Sequence, residues 1–270
     1  MFVRRGYRSV IAAFGLAVLL LAAYAVQVQS GPPAQISGPP YIYHLPRIFN
    51  TQALVITGTV TNNNAAAPGE TVLLMLSRDG GLNYTEQAQT VTNSTGGYRF
   101  EVPANSPNDR FYAAWRNRSN GAGKLWGFKC TPLTITSPNR ACDFDVKDVP
   151  LIAPSRNAAV NFPLTFQWTP RGLNNTDNYA VVVYRDEAGT SQMAISTYVG
   201  YTDRITLETA PDPAQTGTRY YWSVRFQTPS GIGDAYAVYG VTFNDLNRLG
   251  VQSASGPVWE VGENSRLKDP

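Results

Sequence analysis

From about residue 53 the apolar positions recur at every second residue. The run ALVITGTVT puts Leu54, Ile56 and Val60 on one face, ETVLLMLSR puts Val72, Leu74 and Leu76 on one face, and GYRFEV does the same with Tyr98, Phe100 and Val102. A period of two predicts half-buried β-strands. RFYAAWR, KLWGFKC and ACDFDVK continue the series, and clusters of Gly, Pro, Asn or Asp bound each run. Such clusters are turn signals. No stretch beyond the N-terminal segment repeats apolar residues at helical spacing. The pattern predicts an all-β chain of short strands packed as sandwiches.

A second series opens near Val149. VPLIAP reads as a connector, and LTFQWTP turns Leu164, Phe166 and Trp168 one way. NYAVVVYR, SQMAISTY, RITLE, TRYYWSVRF and AYAVYGVTF follow. In the fourth of these, Tyr220, Trp222, Val224 and Phe226 share a face, the apolar load expected at the centre of a sandwich. After Asn244 the pattern weakens. GPVWEV has the makings of a small extra strand, but residues 246–270 read as a loose polar tail.

The N-terminus follows a different rule. Arg4, Arg5 and Arg8 precede an apolar run from Val10 to Val26 that ends in Ala23-Tyr24-Ala25. Residues 1–29 therefore read as a signal peptide or a retained signal anchor, a single hydrophobic helix in either case. Both readings place the rest outside the cytoplasm. No Cys lies near the small-residue site, which excludes a lipid anchor there. Residues 30–52 form a spacer with two Gly-Pro-Pro units, extended and semi-rigid. The segment YIYHLPRIF joins it to the first domain, its aromatic residues free to pack on that domain or to sit at a membrane surface.

Charge adds an exclusion. Setting aside Arg4, Arg5 and Arg8, the 22 Lys and Arg fall to 19, equal to the 19 Asp and Glu. A formally neutral remainder without charge runs gives no footprint for nucleic acid. In an oxidising compartment Cys130 and Cys142 should pair. A loop of that size is worth roughly 3 kcal/mol in the chain-entropy model. Alternation agrees, with Cys142 beside Phe144 and Val146, and Cys130 beside Trp126 and Phe128.

Two resemblances extend this reading. ITGTVT, APGETVLLML and TVTNSTGGYRFEVP, through Thr92, Gly96 or Gly97, Tyr98 and Phe100, resemble the carboxypeptidase regulatory-like domains, which are transthyretin-like sandwiches. Asn93 stands where that family usually has Asp. The resemblance covers residues 53–148 and implies a structural or binding role without peptidase chemistry. Residues 149–245 resemble a fibronectin type III domain: Trp168 sits at the core position of its second strand, Leu207 precedes the turn, and GTRYYWSV resembles the strand with the tyrosine corner, Tyr220 at the corner. Fold alone does not imply function. The expected fold is thus all-β, two consecutive β-sandwich domains, transthyretin-like then immunoglobulin-like, after an N-terminal hydrophobic helix.

Catalytic chemistry finds little support. His44 is the only histidine and lies in the spacer, which excludes a Ser-His-Asp triad within either domain and any metal site with two histidines. No Gly-rich phosphate loop opens a helix. A glycosidase needs only two carboxylates, yet the acids fall in turns or on outward faces. SRDGGLNYT, residues 77–85, resembles the Asp box of sialidase propeller blades. No second copy occurs, and Tyr84 replaces the usual Trp. The stretch reads as a turn in which Asp79 accepts backbone N–H bonds, Gly80 and Gly81 permit positive φ, and Ser77 and Tyr84 brace the strands. Asp143, Asp145 and Asp148 are the one candidate calcium set, at the domain junction. Three acids are few for the six to eight oxygens calcium takes, so they read as solvated acids on a strand's outer face. Tyr112, Trp126, Tyr184, Tyr198, Tyr201, Tyr236 and Tyr239 are hard to place in a core by alternation and offer an aromatic platform for sugars or an interface. Triplets of the N-x-S/T form at Asn83, Asn93, Asn117 and Asn174 matter only in a host that glycosylates exported proteins.

The expected function is that of a non-enzymatic cell-envelope or surface protein with a structural, adhesive or scaffolding role. Other envelope proteins or a surface polysaccharide would be its partners. A carbohydrate-binding module, or an accessory subunit of an envelope or membrane protein complex, is the alternative.

Overall fold

The computed structural model describes residues 54–102, 106–117, 124–137, 141–172, 175–236, 239–246 and 257–261. The expected N-terminal helix, the spacer with His44, and Asn174 lie outside them. Among the described residues no helix is long and apolar enough to cross a membrane.

The alternating runs fold as strands. The first half contains β1 (Leu54–Asn62), β2 (Ala65–Ala66), β3 (Thr71–Ser77), β4 (Thr85–Val91), β5 (Gly97–Val102), β6 (Arg110–Arg116), β7 (Leu125–Cys130), β8 (Leu133–Thr134) and β9 (Phe144–Asp145). The second contains β10 (Leu151–Ala153), β11 (Ala158–Val160), β12 (Leu164–Trp168), β13 (Asn178–Tyr184), β14 (Gln192–Ser196), β15 (Arg204–Leu207), β16 (Arg219–Thr228), β17 (Gly231–Ala235), β18 (Tyr239–Phe243) and β19 (Trp259–Val261). The chain is an all-β protein of sandwich architecture.

In the first half, β2, β1, β5 and β9 form one layer, and β4, β3, β6 and β7 form the other, with β8 on β6. The turn from β1 to β2 is a two-residue hairpin in which Asn63 and Asn64 have φ of 53° and 65°. Asn tolerates that region best after Gly, so the run of three Asn suits a type I′ turn. In the second half, β10, β12 and β15 face β19, β14, β13 and β16. The long β16 pairs with β18 over Arg219–Trp222 and with β17 over Arg225–Thr228.

The predicted inward faces are buried. Leu54, Ile56 and Val60, then Tyr98, Phe100 and Val102, then Tyr220, Trp222, Val224 and Phe226 all belong to the main core. Three local expectations need correction. Trp126 is half-buried, and Leu125 takes its place on the inner face beside Phe128 and Cys130. A bulge causes this, since the register against β17 shifts between Asp234 and Ala235. The connector VPLIAP carries a short strand, β10, paired with β12. The expected loose tail contributes β19, which pairs with β14, and Trp259 packs edge-on against Phe166.

The second edge of β17 pairs with β7, Gly231 opposite Cys130 through Ala235 opposite Leu125. One sheet therefore runs β19-β14-β13-β16-β17-β7-β6-β3-β4 across both halves. Glycine makes the seam close. A Cβ at Gly231 would collide with the Lys129 carbonyl oxygen, and one at Gly233 with the Phe226 ring. The core is continuous as well, one cluster spanning Leu54 to Leu246.

Candidate functional site

The loop between β12 and β13, PRGLNNTDNY, delivers a cation into this seam. Arg171 is 3% exposed at its side chain and Asp177 1%. Arg171 Nε donates to Asp177 Oδ2 at 2.8 Å, and its Nη1 donates to the Asp145 carbonyl oxygen of β9 at 2.5 Å. The guanidinium carbon lies 3.9 Å from the centre of the Phe226 ring. Tyr179 closes the cluster: its hydroxyl donates to Asp177 Oδ2 at 3.0 Å and accepts the Arg171 backbone N–H at 3.0 Å. Burial holds the Tyr179 phenol well above its ordinary pKa, so it stays a donor. One second-half side chain thus bonds its own acid, stacks on its own core and caps a first-half carbonyl. A cleft of about 360 Å³ lies over it, lined by Thr61, Asn64, Asp143, Asp145, Arg171 and Ser230 among others.

Asp145 is 8% exposed, so it is no outward, solvated acid. Its Oδ2 accepts from Thr61 Oγ1 at 2.7 Å and from the Asn64 N–H at 2.8 Å. Its Oδ1 accepts from the Lys147 N–H at 2.8 Å and the Asn63 N–H at 3.2 Å. The carboxylate thereby satisfies the orphan donors of the Asn63–Asn64 turn. Asp143 turns elsewhere and accepts from the Thr59 N–H and hydroxyl, each at 2.8 Å, while Asp148 accepts the Leu125 N–H at 2.9 Å. The three acids of the calcium reading cap three separate pieces of backbone and do not converge. Among the described residues no group of three or more His, Cys, Asp or Glu side chains is placed to hold a metal ion.

The aromatic set does not assemble into a platform. Tyr112 and Tyr184 are buried, at 7% and 1% exposure. Tyr236 donates its hydroxyl to the Asn117 carbonyl, and Tyr239 packs edge-on against Trp222. Only Tyr198 and Tyr201 of the set stand out from the surface, around the turn after β14. Alternation misplaced Tyr184 because β13 is buried on both faces: Ala180, Val182 and Tyr184 form a second small cluster with Ile195 opposite the main core.

Cys130 and Cys142 are bonded, with Cα atoms 6.0 Å apart, inside the normal span for a bridge. The bridge ties β7, at the seam, to the segment entering β9.

In the turn after β3, Ser77 Oγ donates to Asp79 Oδ1 at 2.5 Å and accepts the Gly81 N–H at 2.8 Å. Asp79 Oδ1 accepts from the N–H groups of Leu82 and Asn83, both at 3.0 Å, and its Oδ2 accepts from the Asn83 amide at 2.8 Å. Gly80 and Gly81 have φ of 81° and 106°, and Tyr84 packs on Tyr112 with ring centres 4.6 Å apart. Hydrogen bonds from the Asn83 backbone, the Ser77 hydroxyl and the Asn83 side chain hold the Asp79 carboxyl far below its usual range. A depressed pKa stabilises the fold fully above the unfolded value, about 3.9, and the contribution is lost as pH falls through the folded value. Asp79→Ala is therefore expected to lower the urea midpoint at neutral pH, and the gap from wild type should close only in strong acid. A gap that closes near neutrality would contradict this reading.

No protein-family model matches the chain, and no curated protein matches it. Among solved structures, the Bacillus anthracis TIE protein aligns with 71% of this chain at 10% identity and a TM-score of 0.24, and 33% of its own length is covered. The chain thus spans about a third of that protein. The shaft pilin SpaA from Lactobacillus rhamnosus GG aligns over 74% of this chain and 100% of its own, at 8% identity and a TM-score of 0.25. A streptococcal ancillary pilin aligns over 81% of this chain and 61% of its own, at 12% identity and a TM-score of 0.25. A likeness of this degree carries no argument about function, and the fold class rests on the strands and their pairing.

Proposed function

We propose that this chain is a non-enzymatic structural protein of the cell surface, whose two β-sandwich halves work as one stiff body. The β7–β17 seam carries the reading. Two domains on a flexible linker would share little buried surface. Here the main-chain ladder, the core and the Arg171 clamp all cross the boundary. Such a body suits a spacer, scaffold or adhesive stalk. The Cys130–Cys142 bridge favours an oxidising compartment, which the basic and apolar N-terminus would reach as a signal or an anchor. The resemblance to a fibronectin type III domain gains support from Tyr220, whose hydroxyl accepts the Gln215 N–H at 2.8 Å in the manner of a tyrosine corner. Other envelope proteins are the expected partners, and an accessory subunit would be the same body with one fixed partner.

Urea unfolding tests the stiff body. Tryptophan fluorescence and far-UV circular dichroism should report a single coincident transition, because neither half can open without exposing the shared core. Two separated transitions would show independent domains. Surface labelling of intact host cells tests the location, and a cytosolic chain with reduced cysteines would end it.

A further inference from the structure

A second cleft borders the seam on the first half, where the Lys124 carbonyl accepts the Tyr236 N–H at 2.9 Å and the Asn117 carbonyl accepts the Tyr236 hydroxyl at 3.0 Å. Its volume is about 670 Å³, and Asn62, Glu70, Trp115, Arg116, Lys124 and Asp148 line it. The size falls within the range of small-ligand sites, about 300–1,000 Å³.

The cleft's two acids are held in place. Glu70 Oε2 accepts the Trp115 indole N–H at 2.6 Å, and the Glu70 backbone N–H is bound by Thr92 Oγ1 at 2.9 Å. Asp148 Oδ1 accepts the Leu125 N–H at 2.9 Å. Each carboxylate is thus anchored through one oxygen. The other oxygen, Oε1 of Glu70 or Oδ2 of Asp148, has no hydrogen-bond partner among the described residues, and neither has the Lys124 ammonium. Arg116 lies with its guanidinium carbon 5.3 Å from the centre of the Trp126 ring. Two fixed acids and two cations leave the lining without net charge.

We propose that this cleft binds a neutral saccharide unit of a surface polysaccharide. Carboxylate oxygens accept hydroxyl protons, and the Lys124 ammonium donates to ring and hydroxyl oxygens. A neutral polyol uses both kinds of group and needs no counter-charge. An anionic ligand would meet Glu70 and Asp148, and an apolar peptide would find little besides Trp115 and Val146 to cover. This site goes beyond the structural reading, and its test reads ligand binding rather than the opening of the halves.

Native electrophoresis of the full chain, through gels cast with soluble neutral polymers (a β-glucan, a galactomannan, a starch) or with polygalacturonate, tests the site. At least one neutral polymer should retard the protein. Glu70→Gln and Asp148→Asn keep an acceptor for the anchoring bonds, and Lys124→Met keeps the side-chain stem. Each should weaken retardation about tenfold, as expected for a hydrogen bond to a charged group, with an unchanged urea midpoint as the check on folding. Retardation by no neutral polymer, equal retardation of all variants, or retardation by polygalacturonate alone would each overturn the proposal. None of these outcomes touches the single unfolding transition.

Discussion

Arg171→Met is expected to lower the stability of the whole body by about 3–5 kcal/mol. The substitution removes one member of a buried pair and leaves the other. Asp177, at 1% exposure, would keep a charge with no cation beside it. The Asp145 carbonyl of β9 would lose its donor, and the Phe226 ring its stacked guanidinium. Most of the loss should come from the stranded acid. Adding Asp177→Asn to Arg171→Met should therefore recover a substantial part of it, since a neutral amide costs less to bury than an unpaired carboxylate. Urea midpoints of wild type, the single variant and the double variant measure this. A loss below about 1 kcal/mol for Arg171→Met, the value typical of an exposed pair, would mean that the clamp does not hold the seam.

Phe128→Ala should cost a similar amount, about 3–5 kcal/mol, for a different reason. Phe128 lies on β7 at 1% exposure, stacked on Phe144 at 5.1 Å with the rings only 10° apart, and 6.2 Å from Phe226 across the seam. Truncation removes the transfer free energy of the ring and leaves a void. On the seam side Phe128 pairs with Gly233, which has no side chain to fill that void, while Trp115 opposite it on β6 and the Phe226 ring are its bulky neighbours. Phe128 and Arg171 both touch Phe226, so their effects should not add. A double-mutant cycle should show a coupling of at least about 0.5 kcal/mol. Strict additivity would place the two residues in separate cores.

Much of the fold was legible from period-two patterning. Leu164 and Phe166 are inward because their neighbours Pro163, Thr165 and Gln167 are turn-forming or polar, a local property of the chain, and Leu54 and Ile56, Val72 and Leu74, and Trp222 and Phe226 follow the same period of two. The pairing of Cys130 with Cys142 followed from export and count, and the turn chemistry of Ser77, Asp79 and Gly81 from side chains that bond within a few residues. The misreadings share a physical origin. Trp126 and Leu125 exchanged roles because a bulge depends on the partner strand. Tyr184 is buried because β13 is covered on both faces, where alternation carries no information. Asp145 is inside because Thr61, Asn63 and Asn64, far away in sequence, bring it three donors beside the nearby Lys147 N–H. The Arg171–Asp177–Tyr179 cluster is hidden in the sequence for the same reason: an Arg and an Asp in a polar loop look solvated until Phe226 and Asp145 close over them. Its only early sign was an apolar run, YAVVVY, too continuous for a strand with one wet face.

What the sequence by itself determined is the strand character, the inward faces, the turns and the single cross-link, because each is set by residues near in the chain or by composition. Only the tertiary structure decided that β17 finds β7, that one sheet and one core span both halves, and that Arg171 and Asp145 meet. Those contacts join segments about a hundred residues apart at β7–β17. Edge pairing uses backbone groups that every residue carries, so no side-chain pattern announces it. The two glycines of GIGDA permit the close approach, but only the position of Lys129 and Phe226 shows why they are needed.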